Sequence, residues 1–233
     1  MSMVHKSLTN TNKKTLGVGD MCNLQIEEVT LHHHGDEIIA SWNASFTGGD
    51  SVSIYSGKQI TSTAILLMLG GYLKPEQGAV WLVEEEKKEP ITPEHIGIAS
   101  IHRIYEPIPY LLVEEMLLLQ ANLFRAKKKK ELIEKVMNDW DLEDIQKDRY
   151  VDLSPVNQLK ASIAAALVHQ PHILLLDHPE LGLTDEEWSQ FSSILQPIVQ
   201  RDKLILILTT LRREVWNEYQ TKMDLSIKKE DRL

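Results

Sequence analysis

Leu153-Ser-Pro-Val-Asn-Gln-Leu-Lys160 and, further on, His172-Ile-Leu-Leu-Leu-Asp177-His-Pro179 place a hydroxyl, a carboxylate and an imidazole at the ends of regular elements. Ser154 followed by Pro155 suits the cap and first position of a helix, where free backbone N–H groups can hold an anion. Asp177 closes an apolar run, a place where a carboxylate accepts strand-end hydrogen bonds or meets a cation. An imidazole such as that of His178 can accept a proton but lacks a carboxylate's fixed negative charge. A third cluster, Ser56-Gly-Lys-Gln-Ile-Thr-Ser-Thr63, fills a strand-to-helix turn with hydroxyls and one lysine. These are components of phosphate chemistry, and they are incomplete.

Such residues need short buried strands alternating with helices to hold them. Residues 24–31, 37–40 and 50–55 read as strands with turn residues between them. Residues 62–72 read as a buried helix closed by Gly70-Gly71 and Pro75, with a helix start at Thr61 as the plain reading of the turn before it. Residues 111–124 and 130–140 form two predicted helices in a polar insert. After them come a helix over 155–169, apolar strands over 173–176 and 204–208, the helix 186–200 between those strands, and a last short strand near 223–228. Near-continuous apolar strands alternating with helices argue for a parallel sheet covered on both faces.

Length and composition restrict the function classes. The 233 residues suffice for one good-sized core, and 42% hydrophobic with 25% charged residues places the chain among globular proteins. A net charge of −9 opposes non-specific attraction to nucleic acid or anionic lipid. The single cysteine, Cys22, forms no internal disulfide and suits a reducing compartment. The longest apolar run, residues 64–73, is about half of a bilayer-spanning helix. His32-His33-His34 has no carboxylate or cysteine at a supporting spacing, and neighbours on a strand point to opposite faces, so no metal site is read there.

In this order the elements resemble the nucleotide-binding subunit of an ABC transporter, a P-loop NTPase, over residues 24–211. Gly71-Tyr-Leu-Lys-Pro-Glu-Gln-Gly-Ala-Val-Trp-Leu82 is similar to the run that follows the family's phosphate loop. Residues 153–184 match the span from signature motif to D-loop without insertion. The implied fold is α/β: a mainly parallel sheet with flanking helices, an N-terminal antiparallel β part and a helical subdomain. We expect a mobile tail over 1–22 and the nucleotide-binding-domain fold over 23–233, with 101–153 as the helical insert.

Set against the family's G-x-x-x-x-G-K-[ST] loop, Ser56 and Thr61 stand at the glycine positions, Ser62 at the lysine and Thr63 at the magnesium-binding hydroxyl. Gly57, Lys58, Gln59 and Ile60 fill the turn and Ala64 follows it; reading Gly57-Lys58 as the motif's own pair breaks the spacing to the helix. Loss of the lysine removes charge-assisted hydrogen bonds of roughly 1.5–3 kcal/mol apiece. The resemblance makes Asp177 the magnesium aspartate, puts His178 where the water-polarising glutamate belongs, and puts Thr210 at the γ-phosphate-sensing histidine. Thr184 stands at the D-loop aspartate, and the adenine-stacking aromatic falls near His33. The signature becomes Ser154, Pro155, Val156 and Asn157: the helix start survives, while proline deletes a donor and valine adds bulk. Ile101 or His102 falls at the glutamine that couples site to membrane subunit. Tyr105-Glu-Pro-Ile-Pro-Tyr110 occupies the docking groove, offering Tyr105 and Tyr110 as contact residues.

These substitutions together predict a degenerate ABC-type subunit that does not hydrolyse ATP, with no catalytic residue, no resident cofactor, and Mg-ATP binding that is weak at most. Its expected partners are an integral membrane subunit, a second ABC-type ATPase subunit, or a second copy of itself, and no nucleic acid. Its expected place is cytoplasmic, on the inner face of the membrane through those partners. The alternative is a working ATPase in which Lys58 replaces the missing lysine and His178 orients water.

Overall fold

Period-two runs of apolar residues build two sheets. The structure is a computed structural model that describes residues 22–33, 36–56, 59–85, 87–99, 101 and 106–225. The first sheet is antiparallel, with β1 (Cys22–His33) between β2 (Asp36–Thr47) and β4 (Gln77–Glu84), and with β5 (Lys87–Pro90) beyond β4. Along β1, Leu24 and Ile26 are buried, and so are Val29 and Leu31. That one-residue change of parity is absorbed by register shifts between Ile26 and Val29, where Glu28 takes a φ of 50°. A bulge of this kind keeps all four side chains on the core face. Gly78 crosses the bulge at a φ of +76°, and a Cβ there would meet the Glu27 carbonyl oxygen at 2.2 Å.

The second sheet is parallel. Its strand order is β6 (Ile96–Ile98), β7 (Ile173–Asp177), β8 (Ile205–Thr210), β3 (Ser51–Tyr55) and β9 (Thr221–Asp224). Its centre is buried on both faces, as continuous apolar runs require. Leu174, Leu176, Leu206 and Leu208 enter one core, while Ile173, Leu175, Ile205 and Ile207 enter the other.

Helix α1 (Gln59–Leu69) belongs to the second core, together with β1 and β3 residues. Ser62 to Leu66 and Met68 to Gly70 are all buried, so the helix is apolar nearly all round. It starts two residues before Thr61 and stops before Tyr72. Tyr72 N–H donates to the Leu67 carbonyl and Gly71 N–H to the Met68 carbonyl, with Gly71 at a φ of +76°. This paired left-handed cap ends the helix where continued periodicity suggests another turn.

The first core unites α2 (Val113–Leu123), α3 (Lys129–Asp139), α4 (Pro155–Leu167) and α5 (Asp185–Asp202). Trp140 stacks on Phe191, and Phe191 meets Trp188, so α3 and α5 share an aromatic seam. Arg201 on α5 grips Asp139 on α3 through two hydrogen bonds of 2.8 and 2.6 Å. Burial pushes the Asp139 carboxyl up, but Arg201 and Lys135 outweigh it and hold the group below its ordinary range. The short α6 (Arg213–Asn217) leads into β9. Strands β4, β5 and β6 and helix α6 add to the elements expected from sequence. Of the expected tail, residues 1–21 lie outside the described residues, and Cys22 opens β1.

Candidate functional site

Strands β7, β8 and β3 are neighbours and run parallel, so their C-terminal ends converge, the place where open α/β sheets bind ligands. Asp177 ends β7, Thr209 and Thr210 end β8, and Ser56 follows β3. Helix α1 brings Ser62 and Thr63 to the same place. Thr63 Oγ1 donates to Asp177 Oδ2 at 3.1 Å, and Thr209 Oγ1 donates to Asp177 Oδ1 at 2.7 Å. Ser62 Oγ and His178 Nε2 share a hydrogen bond of 3.0 Å. His178 holds its backbone at a φ of 48° and donates its N–H to the Thr209 carbonyl at 3.1 Å. Its imidazole lies 3.5 Å from Asp177 Oδ1. All of these residues are buried.

The arrangement can do one part of the expected chemistry. Thr63 and Asp177 set two oxygens side by side, a fit for a hard divalent cation. Ser62 is fully buried and bonded to His178. Beside the network a cavity of about 330 Å3 opens between Pro107, Pro109, the start of α4 and His178. Its described walls carry the ionisable side chains of Glu106, Asp177 and His178.

The remaining candidates fall in several places. Gly57, Lys58, His102 and Tyr105 lie outside the described residues, and for Gln59 and Ile60 only membership of α1 is described. Thr61 is half-buried on α1; Ala64 packs in the core and lines no site. Ile101 is 1% exposed within that core, which removes it from any docking surface. Tyr110 is 72% exposed and Ile108 51%, so the surface at that loop rests on them. Ser154 caps α4, accepting from Asn157 N–H at 3.4 Å with Pro155 at the first turn. Val156 is half-buried and packs against the first core. Thr184 is the cap of α5: its hydroxyl accepts from Glu187 N–H while Glu187 accepts from Thr184 N–H. Of the histidine run, His34 lies outside the described residues and His32 meets Glu76 through its backbone N–H.

Two residues of the network escaped sequence reasoning. Thr209 organises both Asp177 and His178, and its signal was the Thr209-Thr210 pair ending an apolar strand. Glu180 is 1% exposed and accepts from the Thr210 hydroxyl. A glutamate inside a turn looks solvated, and only the neighbouring strand end reveals that it is not.

The fold and this converging site define a nucleotide-binding-type α/β subunit. The family model described as ABC transporter matches residues 56–180, more than half of the chain, and the chain belongs to that family. It is 28% identical over 159 residues to the spermidine/putrescine import ATP-binding protein PotA of Fusobacterium nucleatum subsp. nucleatum, covering 67% of this chain and 42% of that protein. Against PotA of Bacillus thuringiensis (strain Al Hakam) it is 26% identical, covering 70% of this chain and 50% of the relative. The chain thus spans about half the length of the curated relatives it matches. Among solved structures, a nucleotide-free ATP-binding cassette from an ABC transporter superposes with a TM-score of 0.71 at 15% identity, covering 88% of each chain. The cbiO1 protein of Clostridium perfringens, part of the ABC transporter complex cbiONQ, gives 0.63 at 20% identity, covering 81% of this chain and 78% of that one. At those identities the likeness shows the fold alone. Among the described residues no helix is long and apolar enough to cross a membrane.

Proposed function

We propose that this chain is a non-hydrolysing ATP-binding-type subunit of an ABC transporter, which contributes shape and contacts instead of energy. One observation carries the reading: Ser62, Thr63, Asp177, His178 and Thr209 are buried and hydrogen-bonded to one another where a magnesium nucleotide would be held. The positions that would neutralise the phosphates, polarise water and sense the γ-phosphate hold Ser62, His178 and Thr210, which removes the charge that phosphoryl transfer depends on. Residues 101–153 act as the helical subdomain. The exposed loop at Ile108 and Tyr110 docks onto an integral membrane subunit, which holds the chain at the inner membrane face, and an active ATPase subunit or a second copy is its other partner. The relatives' printed role as import ATP-binding proteins supports transport as the process served.

The test is nucleotide turnover by the purified full chain beside Asp177→Asn, with co-purification from gentle detergent extracts. We expect no turnover from either protein and an integral membrane protein in the extract. Turnover that Asp177→Asn abolishes would overturn the reading. The adjacent oxygens of Thr63 and Asp177 favour a second reading, in which magnesium nucleotide is a structural ligand that is bound and not cleaved. Thermal stabilisation by a non-hydrolysable ATP analogue with magnesium, lost in Thr63→Val, would select it.

A further inference from the structure

We infer that Glu180 is a positioning residue that locks the turn after β8 to the turn after β7, so that the segment placed to sense a phosphate is held in one conformation. The inference rests on the non-hydrolysing reading above and states how that site is kept still. Asp177 and Thr209 pair across β7 and β8, so the segments that follow these two residues leave the sheet side by side. Glu180 Oε1 accepts from the Thr210 hydroxyl and, at 3.4 Å, from the Leu211 N–H. Thr210 Oγ1 in turn accepts from the Arg212 N–H at 3.0 Å. One carboxylate oxygen and one hydroxyl therefore satisfy two consecutive backbone donors of the turn.

Glu180 does not line the cavity beside the network. The cavity beside the network is lined by Asp177, His178, Pro179 and Leu181, while Glu180 turns the other way, toward Thr210 and the interior. There Tyr219 feels it: burial pushes the Tyr219 hydroxyl's pKa up, and the Glu180 charge adds to the effect. Arg212 does not neutralise Glu180, because its guanidinium is paired with Asp185. Glu180 Oε2 is buried with no hydrogen-bond partner among the described residues. Leaving a carboxylate oxygen dry is costly, so the contact with Thr210 must offset that cost within the turn. The short Thr210 hydroxyl reaches inward, to Glu180.

Hydrogen exchange of the full chain, followed over residues 208–216 with and without Mg-ATP, tests this. Glu180→Ala and Thr210→Val should each speed exchange at the Leu211 and Arg212 amides about tenfold, and the double variant should add little to either. Glu180→Gln keeps an acceptor oxygen and should keep exchange slow, whereas Glu180→Met, of similar bulk but without a carbonyl acceptor, should speed it as Glu180→Ala does, which a role in bulk packing alone would not predict. Thr210→Val preserves shape, so it carries the test should Glu180→Ala fail to fold. Unchanged exchange in Thr210→Val, additive effects in the double variant, or a wild-type turn that responds to Mg-ATP would each overturn the lock. Turnover by a wild-type protein whose turn stays insensitive to Mg-ATP would instead sink the non-hydrolysing reading and leave the lock standing.

Discussion

Thr209 supports two groups at once: its hydroxyl donates to one oxygen of Asp177, and its carbonyl accepts from the backbone N–H of His178. Thr209→Val keeps the shape and deletes the hydroxyl, leaving a buried carboxylate oxygen short of a donor. We expect a loss of about 1–3 kcal/mol in urea unfolding, whereas an exposed threonine treated the same way should change little. His169 offers a second test at this scale. Burial lowers its pKa to about 4 although its ring is hydrogen-bonded to the Ile96 carbonyl, and it stacks on Phe124 at 3.8 Å. The unfolded chain binds a proton at this group near pH 6.5 and the folded chain does not. Stability from this residue is therefore present above about 6.5 and falls as pH drops toward about 4. His169→Gln, which keeps a donor for Ile96, should flatten that slope in urea midpoints taken at pH 7 and pH 5. A slope identical to wild type would remove His169 from the account.

Elements were readable from sequence in proportion to how much of their stabilisation is local. Helix α5 carries its own start signal, Thr184 with Glu187 three residues on, and its expected limits fall within two residues of those found. Thr184→Ala removes the cap and should cost about 1 kcal/mol by thermal or denaturant unfolding. The same residue had been read as a D-loop remnant, and one hydroxyl cannot be assigned to a cap or to a lost catalytic position from text alone. Strand β6 has three residues and strand β5 four, too few for a periodic pattern, and both exist because a neighbouring strand supplies their hydrogen bonds. The bulge in β1 hides from a period-two scan because it changes parity midway. Gly78, which lets β4 pass it, is the position where one methyl group does most harm: its Cβ would collide with backbone and its φ is left-handed. The Ser62–His178 and Glu180–Thr210 contacts join residues 116 and 30 positions apart, and no local pattern announces them.

At the scale of the whole molecule, the parallel sheet joins both cores, because β7 and β8 send alternate side chains into each. Helices α2 and α3 look like a separate lobe in sequence, but Val113, Leu117, Val136 and Trp140 belong to the same core as Leu174 and Leu206. Both lobe helices pack on α4, so unfolding the lobe alone would uncover α4, and unfolding the antiparallel sheet alone would take Leu24, Ile26, Val80 and Leu82 out of the second core. Each half shares an apolar core with the elements that cover the parallel sheet, so the two should melt together. Tryptophans report on the two sides: Trp140 lies in the first core, while Trp42 packs against the second. Variants that retain only Trp140 or only Trp42, with the other tryptophans replaced by phenylalanine, should give coincident midpoints relative to far-UV circular dichroism in the same samples. A lobe that hinged freely, as a nucleotide-driven subunit would need, should instead release the Trp140 signal at lower denaturant than the Trp42 signal. Coincidence fits a subunit that transmits force as one body, and separation would point to a lobe that moves on its own.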